Sequence, residues 1–282
     1  MSDSIQTIII EPGLGRTILL IVAHADDPVL FLGGTIALWA NAGWRVVCVR
    51  VTDDRWDSLA LSEADTIAAN TAEFRASSKI LGIDVIDDWH YATDTLADIS
   101  EVTLRDRCIR AVRTYRPYAL VTFDPYSLYG EDNQDHLMVA RAVDESFWTS
   151  QFDKHHPEHL AEGLEPHGCF ERWYFGRPVG RVTDVIDISA TLNRKIDAAL
   201  CHLTMLKNFV NQLRMQAHTG GWTVPIFDDA AAHDLRPLME LFLTGQASAT
   251  GQRHGLTAAE EFRVVRFGGL SGMLPNYGTK AD

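Results

Sequence analysis

Residues 17–23, TILLIVA, form an unbroken apolar run that ends at once in a histidine and two aspartates. A strand without polar alternation must be covered on both faces, as in the middle of a parallel sheet. Comparable runs recur at 45–52 (RVVCVRVT), at Val85 and Ile86, and at 118–123 (YALVTF). Between them lie segments of helical periodicity at 31–41, 65–81 and 102–115, closed by Gly43, Gly82 and Pro117, and a fourth at 135–152. Alternating strand and helix predict an α/β fold with a doubly wound, mainly parallel sheet, because right-handed crossovers put helices on both faces.

The second half is less regular. Residues 155–168 read as a polar loop, 173–175 and 182–188 as strands, and 189–216 as one long helix. Residues 220–257 mix Gly, Pro, Trp and Phe, with one helical patch at 235–243, and 261–267 (EFRVVRF) reads as a last strand. No repeat or linker interrupts the chain, so residues 1–282 are expected to form one domain with an elaborated C-terminal part. Within it, 206–258 is expected to be a lid or substrate mouth.

Charge narrows the function. With 25 basic and 38 acidic side chains the net charge is -13, which argues against a nucleic-acid surface. The four cysteines are too widely spaced for a disulfide framework or a thiolate zinc site. No segment approaches the ~18 apolar residues of a membrane span, and no basic leader precedes the first apolar run. The expected setting is the cytoplasm, with no transmembrane segment.

The chemistry concentrates in AHADDPVLFLGG, residues 23–34, at the carboxyl end of the first strand. Ligands of open α/β sheets bind at that edge. Adjacent carboxylates repel unless a cation or a shared proton relieves them. A divalent metal held by His24 and one aspartate would do so, leaving the other aspartate as a base. The same acids also suit a helix N-cap and first turn. A third ligand is available after the fourth strand, where Asp135 and His136 open a helix at the same edge. His136 would bind the metal, with Asp135 orienting its ring. The absence of GxGxxG and GxSxG disfavours a dinucleotide-binding protein and a serine hydrolase. HHPEH at 155–159 has metal-ligand chemistry but reads as a solvent-exposed loop, and His202 reads as a packing or orienting histidine.

AHADDPVLFLGG resembles the AHPDDExxxxGG signature of the LmbE-like (PIG-L) zinc-dependent N-deacetylases, and NQDH at 133–136 resembles their HxDH. NTAEFRASSKILG at 70–82, DISATLNRKIDAALCHLTM at 187–205 and the final EFRVVRF continue the resemblance. It implies a lactate-dehydrogenase-like Rossmann fold, a bound Zn2+ and removal of acetyl from an N-acetylglucosamine-type sugar. It further implies His24, Asp27 and His136 as metal ligands and Asp26 as general base. The chain departs from the signature at Ala25 and Pro28. It also has Asn133 where the family often has a histidine that helps hold the oxyanion, and Asn70 in place of a sugar-gripping arginine.

AHADDP together with NQDH is most similar to deacetylases of glycopeptide-antibiotic biosynthesis, which act on a teicoplanin-type pseudoaglycone. The implied substrate is therefore a small-molecule glycoside or glycopeptide. Asn133 is the expected catalytic donor, and Asn70, Tyr126, Tyr129, Trp222 and Phe242 are expected substrate contacts. Two other readings are a deacetylase of another N-acetylglucosamine conjugate and a non-catalytic sugar-binding member of the fold.

Overall fold

The computed structural model describes residues 5–127, 130–177 and 179–279. Its strands are β1 (Gln6–Thr7), β2 (Thr17–Val22), β3 (Arg45–Thr52), β4 (Val85–Tyr91), β5 (Ala119–Phe123), β6 (Glu171–Phe175), β7 (Asp184–Asp187) and β8 (Ala259–Arg266). They form one sheet of order β1-β7-β8-β6-β5-β2-β3-β4. All neighbours are parallel except that β8 runs antiparallel to both β6 and β7. The doubly wound, mainly parallel sheet is thus as expected.

The topology locates the site. From β2 the chain moves outward to β3 and β4, then returns to β2's other side with β5 and continues to β6. The strand order reverses between β2 and β5, and the crevice beyond the carboxyl ends at such a point is where open α/β sheets bind ligands. β2 is buried along its whole length, which explains TILLIV as an unbroken apolar run.

Helix α1 (Asp27–Asn41) follows β2 and packs on α2 (Glu63–Leu81) and on α6 (Leu192–Ala199). Across the sheet, α3 (Glu101–Tyr115) packs on α4 (Gln134–Thr149). α2 starts on a Ser62 cap and stops at Gly82, whose φ of 88° is the left-handed conformation glycine adopts freely.

The paired glycines of the first motif have a packing role. α1 leaves helical geometry at Leu32, and the amides of Gly34 and Thr35 then donate to the buried Glu260 carboxylate of β8 across 3.1 and 2.8 Å. Lys195 of α6 completes this knot, its Nζ 2.8 Å from Glu260. A Cβ on Gly34 would stand 2.7 Å from the Ile188 side chain, so only glycine lets α1 approach this closely.

Two expectations on the C-terminal half are corrected. The single helix expected over 189–216 is broken into α6 and α7 (Leu203–Thr219). The break is held from outside, because the Glu73 carboxylate of α2 accepts from the Thr204 amide across 3.0 Å and so caps α7. The expected patch at 235–243 is part of a longer helix, α9 (Arg236–Arg253), preceded by α8 (Pro225–Ala232). A short α5 (Pro157–Ala161) interrupts the loop after α4, and α10 (Leu274–Tyr277) follows β8. Among the described residues, no helix is long and apolar enough to cross a membrane.

Candidate metal centre and active site

The loops after β2 and β5 bring His24, Asp27 and His136 together. One possible ligand atom from each lies within 4.8 Å of the others. His24 Nδ1 stands 3.1 Å from His136 Nε2, and His136 Nε2 stands 3.2 Å from Asp27 Oδ1. Two imidazole lone pairs and a carboxylate in van der Waals contact require a proton or a cation between them. Two nitrogen donors and one oxygen suit a zinc-like ion, and three protein ligands leave coordination open for reactants.

Asp27 is held in place by the fold. Its Oδ2 accepts from the His24 amide across 2.7 Å, and Pro28 follows in the first turn of α1, where a missing N–H costs nothing. His136 is wedged between rings, stacked on Phe123 at 3.9 Å with Phe31 edge-on at 6.1 Å.

The orienting carboxylate differs from expectation. Behind His136, 3.1 Å from its Nδ1, stands Glu131 and not Asp135. Arg177 holds the other Glu131 oxygen across 2.9 Å. Asp135 turns the opposite way. It accepts from the Asp94 and Leu96 amides across 2.7 and 3.1 Å and lies 3.5 Å from His24 Nε2. Each of the two histidines thus has a carboxylate beside its far nitrogen, the arrangement that orients metal-binding imidazoles. The turn that carries His24 is buttressed by Asp54, which accepts from the Ala25 amide and from the fully buried Arg50, each across 3.1 Å.

These contacts set the proton affinities. Burial opposes charge on His24, but the Asp135 and Asp27 carboxylates outweigh it and hold the ring well above its ordinary range. For Asp27 burial is outweighed by His136 and His24, so its carboxyl stays well below the usual range. Asp26 has no such relief. Burial, then the carboxylates of Asp27 and Asp57, push it up to about 8.

A cavity of about 540 Å³ opens over the cluster and is lined by His24, Asp26, Asp27, Asn133 and His136. Asn133 caps α4: its Oδ1 accepts from the Asp135 amide across 2.9 Å, leaving Nδ2 as the group free to donate. On one side of the cavity Asp57 and Asp94 face inward beside Trp56. The opposite wall is apolar, built by Phe31, Leu206 and Phe209 together with Met239 and Phe242 of α9.

The remaining expected contacts lie elsewhere. Asn70 is buried, and its amide donates to the carbonyls of Asp54 and Asp57 across 3.0 and 3.1 Å, so it shapes the loop after β3 without reaching the cavity. Tyr126 is exposed with Arg263 over its ring, and Trp222 is 71% exposed; neither lines the cavity. Tyr129 lies outside the described residues. His202 is buried against Ser77, and HHPEH is not a solvent-exposed loop, since His159 is wholly buried. Glu131 and Arg177 were not apparent from the sequence, in which an acid in a polar loop and an arginine after a strand carry no periodic signal.

Residues 19–147 match the family model of PIG-L, GlcNAc-PI de-N-acetylase. A 1D-myo-inositol 2-acetamido-2-deoxy-alpha-D-glucopyranoside deacetylase of Mycobacteroides abscessus is 29% identical over 161 residues, covering 47% of this chain and 57% of that protein. The structure of N,N'-diacetylchitobiose deacetylase from Pyrococcus horikoshii superimposes with a TM-score of 0.72 at 22% identity, over 95% of this chain and 89% of the other. A zinc-inhibited teicoplanin deacetylase superimposes with a TM-score of 0.54 at 13% identity, over 89% and 98%. Sheet and matched segment together resemble the core of the PIG-L deacetylases. The relatives with the stronger resemblance are deacetylases of an inositol glycoside and of diacetylchitobiose, not of a glycopeptide.

Proposed function

We propose that the chain is a metal-dependent hydrolase that removes the acetyl group from an N-acetylglucosaminyl moiety. The observation that carries this reading is the convergence of His24, Asp27 and His136 at the floor of one cavity with Asp26 and Asn133 beside them.

A divalent metal, when held by these three residues, supplies a Lewis acid for the amide carbonyl and acidifies water. Asp26 takes the water proton and hands it to the departing nitrogen. Asn133 Nδ2 donates to the oxygen on which negative charge develops. Glu131 and Asp135 keep the two imidazoles aimed at the metal. Arg177 restrains Glu131.

The finer reading concerns what the sugar is attached to. The mixture of apolar Phe209, Met239 and Phe242 with the amides of Asn208, Gln212 and Gln246 suits a bulky amphipathic aglycone, such as a teicoplanin-type pseudoaglycone. Residues 206–258 would then form the mouth for that group. Zinc-loaded protein should be offered N-acetylglucosamine, diacetylchitobiose and an acetylated teicoplanin-type pseudoaglycone, with acetate and a 42 Da loss measured. Acetate from none of them overturns the deacetylase reading. Equal kcat/KM for the free sugar and the glycopeptide overturns the aglycone reading alone.

A further inference from the structure

HHPEH at 155–159 has no part in the cavity just described, since none of its residues lines it. The fold nevertheless brings Asp106 of α3 onto it. His156 takes a left-handed conformation (φ 53°) at the start of α5, and its Nδ1 then stands 3.3 Å from Asp106 Oδ1 and 2.9 Å from Glu158 Oε1. The His156–Glu158 contact is a hydrogen bond, and one ligand atom from each of Asp106, His156 and Glu158 lies within 4.8 Å of the others, close enough to share one ion. Two carboxylates and an imidazole are ligand types that divalent ions accept.

A second observation concerns Asp106, one oxygen of which is buried although its side chain is 38% exposed. Asp106 Oδ1 is cut off from solvent and has no hydrogen-bond partner among the described residues. The two nearby arginines do not satisfy it. Arg113 is committed to the carbonyls of Ser150, Phe152, His155 and His156, and Arg110 to Glu162. His159 Nε2 is 2.9 Å away but off the line of a hydrogen bond. Because Arg113 also donates to His159 Nδ1 across 3.2 Å, the ring proton sits on Nε2, which leaves His159 outside the ligand set.

We propose that Asp106, His156 and Glu158 form a second divalent-cation site, separate from the catalytic one, that pins the loop after α4 to α3. Glu158 is half exposed, so an ion enters without opening the fold.

Metal-stripped full-length protein should be titrated with zinc by calorimetry, with bound zinc counted by elemental analysis after gel filtration. Two zinc ions per chain are expected in the wild type. Asp106→Asn should bind one, Asp27→Asn should bind one, and the double variant none. His156→Gln gives the same test should Asp106→Asn fail to fold, with circular dichroism as the check on folding. A wild type that saturates at one zinc per chain overturns the proposal. So does a folded Asp106→Asn or His156→Gln protein that still binds two.

Discussion

Acid should unfold this protein partly through His202. The ring is buried, and its Nε2 lies 2.7 Å from Ser77 Oγ. Ser77 already donates to the Phe74 carbonyl across 3.1 Å, so its oxygen accepts the His202 Nε2 proton and the ring is neutral. Adding a second proton would place a cation in the core near Arg50. Burial first, and then Arg50, push the ring down to about 3 from an ordinary 6.5. The unfolded chain therefore takes up this proton first. Stability from the neutral ring is complete above pH 6.5 and is lost progressively down to about pH 3. At 1.36 kcal/mol per pH unit, the loss is ~2 kcal/mol at pH 5 and ~3 kcal/mol at pH 4. Urea unfolding of metal-free wild type and His202→Gln should be followed from pH 8 to pH 4. Glutamine can still donate to Ser77 but cannot charge. The other titrating groups are common to both proteins, so the difference between the two curves isolates His202. The wild type should lose ~2–3 kcal/mol more than the variant over this range. Parallel curves would refute the buried neutral histidine.

Asp26→Asn should retain zinc while turnover falls roughly 10²–10⁴-fold, the scale of a lost general base; paired zinc analysis and acetate release check this. Glu131→Gln should weaken zinc affinity about 10–100-fold, read by competition with a chromogenic chelator, because the far side of His136 loses its anionic partner. Gly34→Ala should lower stability by ~1–3 kcal/mol despite alanine's better helix propensity, since its methyl would collide with Ile188; urea midpoints test it.

The strands and most helices of the first half were legible because each is long and has a single period. The grouping of His24, Asp27 and His136 was legible because charged residues break off an apolar strand abruptly, and the topology then unites two such breaks at one edge. What remained hidden depends on partners distant in sequence. The break between α6 and α7 is set by Glu73, which lies on another helix. Asp135 was expected behind His136 because it is its neighbour in the chain. On a helix, however, adjacent residues point in different directions, so Asp135 reaches the loop after β4 while Glu131 folds back onto the ring. Asn70 resembled a substrate contact by position alone, whereas its burial depends on the path of the loop after β3.

The Glu260 knot has a consequence for how the chain is made. The amides at the kink of α1 find their acceptor only in β8, 225 and 226 positions later. Lys195, buried beside them, waits for the same carboxylate. A nascent chain can assemble the β2-to-β6 half of the sheet early, but α1 and α6 cannot dock with their polar groups satisfied until residue 260 has emerged. Contacts of such long range slow folding, and partly made chains of this kind expose unpaired surface meanwhile. Release of β8, rather than formation of the β2-to-β6 part of the sheet, should therefore be the event that commits a newly synthesised molecule to its native state.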